Sequence, residues 1–168
     1  GKPAISRGTC PRVSWLSGTL GCPIPKDRGQ PLKDQSQFIH LSAVQLACAY
    51  RSGSVRPSEV VGLLLDRIEA SRDDHIFITV TAERALSEAS AADKRYATGA
   101  QLGWLDGVPV GWKDLFDLAG TMTTAGSIAR PDLVPAMDDA ECVVRLTEAG
   151  MVTLGKLNTS ELAYSGLG

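Results

Sequence analysis

Residues 105–117 read Leu-Asp-Gly-Val-Pro-Val-Gly-Trp-Lys-Asp-Leu-Phe-Asp and place a lysine directly after an apolar strand pattern. Val108, Val110 and Trp112 occupy alternate positions, which predicts a short β-strand. Lys113 follows at once and is flanked by apolar side chains. An ammonium group in apolar surroundings loses hydration and gives up its proton more readily, so this lysine could act as a base. Alternatively, its side chain extends from the strand end into solvent, and this stretch alone leaves both readings open.

The composition and net charge of the chain disfavour several classes of protein and of ligand. The chain has 168 residues and a formal net charge of −2, which disfavours nucleic acid as a direct partner. No apolar run approaches the roughly 18 residues of a membrane helix, and no secretory signal is apparent, so we predict a cytoplasmic protein. The four cysteines are scattered and no glycine-rich phosphate loop appears, so we predict no metal and no organic cofactor.

The first 36 residues differ in composition from the rest of the chain. Residues 1–36 are rich in Pro, Gly, Ser and charge and have no helical or strand period. They are predicted to be irregular or disordered, or else not to be native to the domain. Residues 37–168 form the predicted domain. The Gly1 start and the Gly-Leu-Gly end favour a fragment of a longer domain.

The first part of the domain shows a helical period with clear end signals. Apolar residues from 41 to 50 predict a helix that ends at Ser52-Gly53. Pro57 is suited to the first turn of a second helix. The β-branched run 76–80 predicts a strand, and an alanine-rich third helix is predicted to end before Gly99.

The second part shows a strand, a helix and a strand in succession. The strand at 108–112 is followed by a helix that is predicted to begin at 138–141 and to end at Gly150. A further strand is predicted at 151–154, and the segment 158–161 is predicted to open another helix. A β-α-β succession predicts parallel strands. The fold class is therefore α/β, with N-terminal helices before the first βαβ units of a mixed, largely parallel sheet sandwiched by helices.

Four segments in this order resemble motifs of the amidase signature family. Residues 105–117 resemble its Leu-x-Gly-Val/Ile-Pro-x-x-x-Lys-Asp segment, and 123–127 are similar to its Thr-Thr-x-Gly-Ser loop. Residues 139–150 resemble its Asp-Ala-x-x-Val helix. Residues 155–163 match its Gly-Lys-Thr-Asn-x-x-Glu-Phe/Leu-Ala element, with Leu157 in place of the threonine. The resemblance covers roughly residues 37–168 and implies the family fold, here truncated.

The resemblance implies hydrolysis of a carboxamide C–N bond by a Ser–cis-Ser–Lys mechanism. Lys113 matches the family's catalytic lysine, which takes a proton from a bridging serine and so activates the nucleophilic serine. Both serines belong to a Gly-Gly-Ser-Ser-x-Gly segment, which the 168 residues do not contain. The chain is therefore expected to be the N-terminal part of an amidase and to be inactive alone.

The same motifs suggest further site residues. Candidates for the substrate pocket are Thr124, Gly126, Ser127, Tyr164 and Ser165. Structural support is expected from Asp114, Lys156, Asn158 and Glu161. Lys156 is either a second site lysine or a buried, paired residue, and the second reading is favoured because Asn158 and Glu161 offer local partners.

Two alternatives to a stand-alone amidase remain open. One is an amidotransferase A subunit that acts on misacylated tRNA together with partner subunits, and the other is a non-catalytic truncated gene product. The Gly-Trp before Lys113 and the departure at Leu157 favour the stand-alone amidase. The expected partner is a small-molecule amide in the intact protein, with a homodimer as an option and neither membrane nor direct nucleic acid contact.

Overall fold

The computed structural model describes residues 35–129 and 133–164, with the side chains of residues 35 and 36 excepted. The prediction for residues 1–36 therefore lies almost wholly outside the described residues and stays a prediction. The helices are α1 (Ala43–Arg51), α2 (Pro57–Ala70), α3 (Ala82–Thr98) and α4 (Glu141–Glu148), and the strands are β1 (Phe77–Val80), β2 (Pro109–Lys113) and β3 (Val152–Leu157). Short 3-10 turns lie at Gln35–His40, Arg72–Asp74 and Glu161–Ala163. No helix in the described ranges is both long and apolar enough to cross a membrane.

The helix ends follow from residues that satisfy the free backbone groups there. Ser42 and Gln45 form a capping box at the start of α1, where each side chain bonds the backbone N–H of the other. Pro57 lies in the first turn of α2. Gly99 ends α3 in the left-handed conformation, with a φ of 70°. The predictions of these three helices and of the strand before α3 are confirmed.

The three strands form a mixed sheet in the order β1-β3-β2. The central strand β3 pairs in parallel with β2 and antiparallel with β1. The parallel arrangement that the β-α-β succession predicts for β2 and β3 is therefore confirmed. Because β3 lies in the middle, it fixes the position of both outer strands.

Helices cover both faces of this sheet. On one face, Val61 of α2 and Ala85 and Ala89 of α3 form a buried cluster with Val152 and Leu154 of β3. The alanines let α3 approach the strand closely because they add little side-chain volume. On the other face, α4 contributes to a second buried cluster, formed by Trp112, Leu118 and Val143. The sandwiched sheet that the sequence predicts is thus observed.

Two predicted helix starts differ from the structure. The helix predicted to start at 138–141 begins at Glu141, but its N-cap position is Ala140 and has no acidic cap; the Asp139 carboxylate instead accepts hydrogen bonds from Arg84 (2.8 and 2.7 Å) and from the Ala119 N–H (2.8 Å). The helix expected from Asn158 is only a 3-10 turn up to Tyr164, the last described residue. Leu162 has a φ of 53° there and donates its N–H to the Ala125 carbonyl (2.8 Å), which ties the segment to a loop.

Gly155 provides a test of the sheet register. Its φ of 147° lies where L side chains rarely fit, and a Cβ at this position would meet the backbone of Thr79 in β1. We expect Gly155→Ala to lower the free energy of unfolding by about 2 kcal/mol or more, because the contact involves backbone that cannot move aside. Urea denaturation followed by circular dichroism measures this change.

Gly62 is the matched control, since it lies in α2 and a Cβ at this position would have no atom within 4 Å. Gly62→Ala should raise the free energy of unfolding by about 0.5–1 kcal/mol, because alanine has the better helix propensity. Equal stability of the two variants would contradict the close approach of β1 and β3 at Gly155.

Candidate functional site

Lys113 is the last residue of β2 and pairs with Leu157 of β3. Its neighbour Trp112 is buried, whereas Lys113 itself is exposed. The chain turns directly after it, with the Leu115 and Phe116 N–H groups donating to the Lys113 carbonyl at 2.7 and 3.1 Å. Leu115 and Phe116 are themselves 43% and 38% exposed. The apolar enclosure expected around Lys113 is therefore not formed by the described residues.

Lys156 is the buried lysine of this region, with a side-chain exposure of 0%. Its Nζ lies 2.7 Å from Asp114 Oδ1 and donates to the Met122 carbonyl at 2.9 Å and to Thr123 Oγ1 at 2.6 Å. Three oxygens thus surround the three N–H groups of the ammonium. The buried, paired reading of Lys156 agrees with this geometry, but its partners are not the expected Asn158 and Glu161.

The Asp114 carboxylate lies between Lys156 and a tight loop. Asp114 Oδ2 accepts hydrogen bonds from the Thr124 N–H (3.1 Å), the Thr124 hydroxyl (2.5 Å) and the Gly126 N–H (3.3 Å). Burial raises the pKa of the Asp114 carboxyl, but the hydrogen bonds from Lys156, Thr124 and Gly126 outweigh burial and hold the pKa below its usual range. Asp114 is therefore a buried anion that organises the loop around itself.

The backbone of this loop explains its Thr-Thr-Ala-Gly-Ser sequence. Ala125 and Gly126 both have left-handed backbone angles, with φ of 54° and 70°. A side chain at Gly126 would meet the Thr159 backbone, so glycine is required there. Ser127 closes the loop by donating its hydroxyl to Glu161 Oε1 at 2.7 Å. The expectation that Glu161 gives structural support thus has a concrete contact, although its partner is Ser127.

The structure describes four of the five pocket candidates, Thr124, Gly126, Ser127 and Tyr164. The Thr124 and Ser127 hydroxyls are engaged within the loop, by Asp114 and Glu161 respectively. Tyr164 is 95% exposed, and Ser165 lies outside the described residues. Asn158 supports its own turn, since its Oδ1 accepts the Thr159 N–H at 2.8 Å. Structural support was the role expected of Asn158, and lining of a substrate pocket by Thr124, Gly126, Ser127, Tyr164 and Ser165 stays a prediction.

Sequence reasoning missed the part played by Thr123. Its hydroxyl accepts from Lys156 and donates to Asp117 Oδ1 at 2.6 Å, so it links the buried lysine to a surface carboxylate. Thr123, Asp117 and residues 133–137 line an open groove of about 390 Å³. The Thr-Thr pair was the available signal, but sequence alone does not show which hydroxyl meets which charge. Within the described ranges no three His, Cys, Asp or Glu side chains are grouped as metal ligands.

Comparisons with known proteins agree on one family. Residues 59–167 match the family model described as Amidase. The A subunit of the mitochondrial glutamyl-tRNA(Gln) amidotransferase from Ornithorhynchus anatinus is 39% identical over 126 residues, which cover 75% of this chain and 24% of that protein. The corresponding A subunit from Pseudomonas entomophila is 44% identical over 124 residues, covering 73% and 25%. The chain thus spans about a quarter of the length of these curated relatives.

The solved structures that match this chain include a peptide amidase. An inhibitor-bound complex, described as vestigial and as revealing the evolutionary origins of an s-triazine catabolic enzyme, matches with 41% identity and a TM-score of 0.68. The match covers 74% of this chain and 27% of that chain. Native peptide amidase from Stenotrophomonas maltophilia matches with 33% identity and a TM-score of 0.65, covering 71% and 25%.

The two lysines should differ sharply in their effect on stability. Lys156→Met leaves the Asp114 carboxylate buried without its cation, and we expect a loss of about 3–5 kcal/mol in the free energy of unfolding. Lys113→Met is the matched control, because exposed substitutions change stability by only about 0.5 kcal/mol. Urea denaturation of both variants checks this, and comparable losses would contradict the pairing described for Lys156.

The lowered pKa of Asp114 predicts a pH dependence. A carboxyl whose folded-state pKa lies below its unfolded value of about 3.9 adds stability above that pH and loses it as the pH falls through the folded value. Asp114→Leu combined with Lys156→Met should therefore show a smaller loss of stability than the wild type when the pH is lowered below about 4. Urea midpoints measured from pH 7 to pH 2 check this, and parallel pH profiles would refute it.

Proposed function

The chain belongs to the amidase family, and on that premise we propose that it supplies the lysine-bearing part of a site that hydrolyses a carboxamide C–N bond. The supporting observation is the difference between its two motif lysines. Lys156 is enclosed by three oxygens, whereas the exposed Lys113 side chain makes no hydrogen bond or ion pair with any residue of the described ranges. Lys113 is therefore the lysine whose amine is available for chemistry.

The proposed role of Lys113 is that of a general base. A serine hydroxyl is a weak nucleophile until a base within hydrogen-bond reach removes its proton. In the proposed Ser–cis-Ser–Lys sequence, the neutral Lys113 amine takes a proton from a bridging serine, which takes one from the nucleophilic serine. That serine attacks the amide carbon of a linear amide, and the C–N bond breaks as the leaving nitrogen takes up the relayed proton and departs as ammonia or an amine. Water then hydrolyses the acyl-serine ester, which releases a carboxylic acid and restores the serine.

The remaining groups for this reaction must come from outside the 168 residues. The sequence contains no Gly-Gly-Ser-Ser segment to provide the two serines. The low-dielectric surroundings that a neutral lysine needs are also not provided by Leu115 and Phe116, which are partly exposed. We therefore propose that the chain alone does not hydrolyse amides.

A second candidate is the A subunit of an amidotransferase that acts on misacylated tRNA with partner subunits. Its support is the identity of 37–44% to several glutamyl-tRNA(Gln) amidotransferase A subunits. The stand-alone amidase is supported by the match to peptide amidase and by the Gly111-Trp112 pair before the lysine. Both candidates require amide hydrolysis, so the role proposed for Lys113 is common to them.

The role of Lys113 can be tested in a chimera with the peptide amidase of Stenotrophomonas maltophilia. The structurally matched quarter of that enzyme is replaced by the matching residues of this chain. We expect Lys113→Ala to lower kcat for ammonia release from a peptide amide by about 10²–10⁴-fold, the usual contribution of a general base. The 168-residue chain assayed alone should release no ammonia.

Lys94→Ala is the matched control, because Lys94 is an exposed lysine on α3. This variant should keep the kcat of the parent chimera. An active chimera that is unaffected by Lys113→Ala would refute the proposed base. Ammonia release by the chain alone would refute its inactivity.

A further inference from the structure

A buried ion pair lies directly beside the proposed base. Asp114 follows Lys113 in the chain, and both Asp114 and its partner Lys156 have side-chain exposures of 0%. The register of the sheet places Lys156 opposite Trp112 and Leu157 opposite Lys113. The pair therefore connects the end of β3 to the turn that leaves β2, across the position of Lys113.

The main chain of Asp114 is held from two sides. Its N–H donates to the Leu157 carbonyl at 3.2 Å, and its carbonyl accepts the Ala125 N–H at 3.0 Å. Its carboxylate binds the N–H groups of Thr124 and Gly126. Strand β3, the turn after Lys113 and the loop around Ala125 thus meet at one residue.

The loop conformation depends on that residue. Ala125 has a φ of 54°, which costs energy for any residue with a side chain, so such an angle persists only where surrounding contacts enforce it. The contacts include the hydrogen bonds of Thr124, Ala125 and Gly126 to Asp114, the bond from the Leu162 N–H to the Ala125 carbonyl, and the bond from the Ser127 hydroxyl to Glu161. Removal of the anion therefore removes the three hydrogen bonds that hold Thr124 and Gly126 against the Asp114 side chain.

We propose that the Lys156–Asp114 ion pair is a positioning element that fixes the Lys113 amine relative to the 123–126 loop. This positioning proposal rests on the proposed function, because it takes Lys113 to be the base. Lys156 and Asp114 act through the backbone and do not touch the substrate in this proposal. Positioning matters because a base displaced by about 1 Å can lose about 10²-fold in rate.

The first test uses the 168-residue chain and needs no activity. Asp114→Leu with Lys156→Met replaces the pair by apolar side chains, which often leaves global stability nearly unchanged. Amide hydrogen exchange by NMR should then be at least about 10-fold faster at position 114 and at Ala125, whose N–H groups are bonded to main-chain carbonyls and not to the replaced side chains. Exchange at Val152, which is bonded to the Val108 carbonyl, should stay unchanged.

The matched control is a second ion pair, near the other end of β2, in which the Arg95 side chain is 25% exposed. Arg95 Nη2 lies 2.6 Å from Asp106 Oδ1, and Asp106 is fully buried. Arg95→Met with Asp106→Leu should leave exchange at Asp114 and Ala125 at the wild-type rate. If exchange at these two amides is unchanged when the Lys156–Asp114 pair is replaced, or rises equally in both double variants, the positioning proposal is overturned.

The second test uses the peptide amidase chimera. Replacing Asp114 and Lys156 should lower kcat by about 10²-fold while KM changes by less than about 3-fold, whereas the Arg95 and Asp106 control should keep both constants. An unchanged kcat in a chimera that still depends on Lys113 would overturn the positioning proposal alone. Loss of the Lys113 dependence would instead refute the proposed function, and the exchange result would still decide whether the pair holds the loop.

Discussion

The ion pair between Lys156 and Asp114 is the interaction on which the rest of this region depends. Two opposite charges are buried 2.7 Å apart, and the polar groups bonded to them satisfy one charge or the other. The Met122 carbonyl and the Thr123 hydroxyl accept from the ammonium, while Thr124 and Gly126 donate to the carboxylate. A buried charge without such partners would be strongly unfavourable, so the loop conformation and the pair require each other.

The fold brings this pair together through the central strand. β3 is paired on both sides, and its residues Val152 and Leu154 are fixed by packing against α2 and α3. Lys156 extends from the end of this well-packed strand, so the position of its ammonium is set by the core. Lys113 lies at the end of the neighbouring strand β2 and keeps an exposed amine. One sheet thus holds one lysine in a buried ion pair and leaves another exposed.

Much of the fold could be predicted from local sequence signals and motifs. Pro57 and Gly99 mark helix ends because their backbone preferences act locally, and the β-α-β succession implies parallel strands. The partner of Lys156 was not predictable, because Asp114 is distant in sequence and nearer polar residues, such as Glu161, were available. The sequence likewise does not show that Asp139, just before α4, is bonded by Arg84 from α3. Ion pairs between residues that are far apart in the sequence determine where these side chains lie. A single sequence does not show which charged residues pair.

The division of roles between the two lysines can be measured most directly by acetylation of the folded 168-residue chain with a limiting amine reagent, read by mass spectrometry. Lys94 provides the reference rate for an exposed lysine. We predict that Lys113 reacts at a rate comparable to Lys94, and that Lys156 is protected until the chain is unfolded in urea. Acetylation of Lys156 in the folded chain as fast as that of Lys113 would contradict the account.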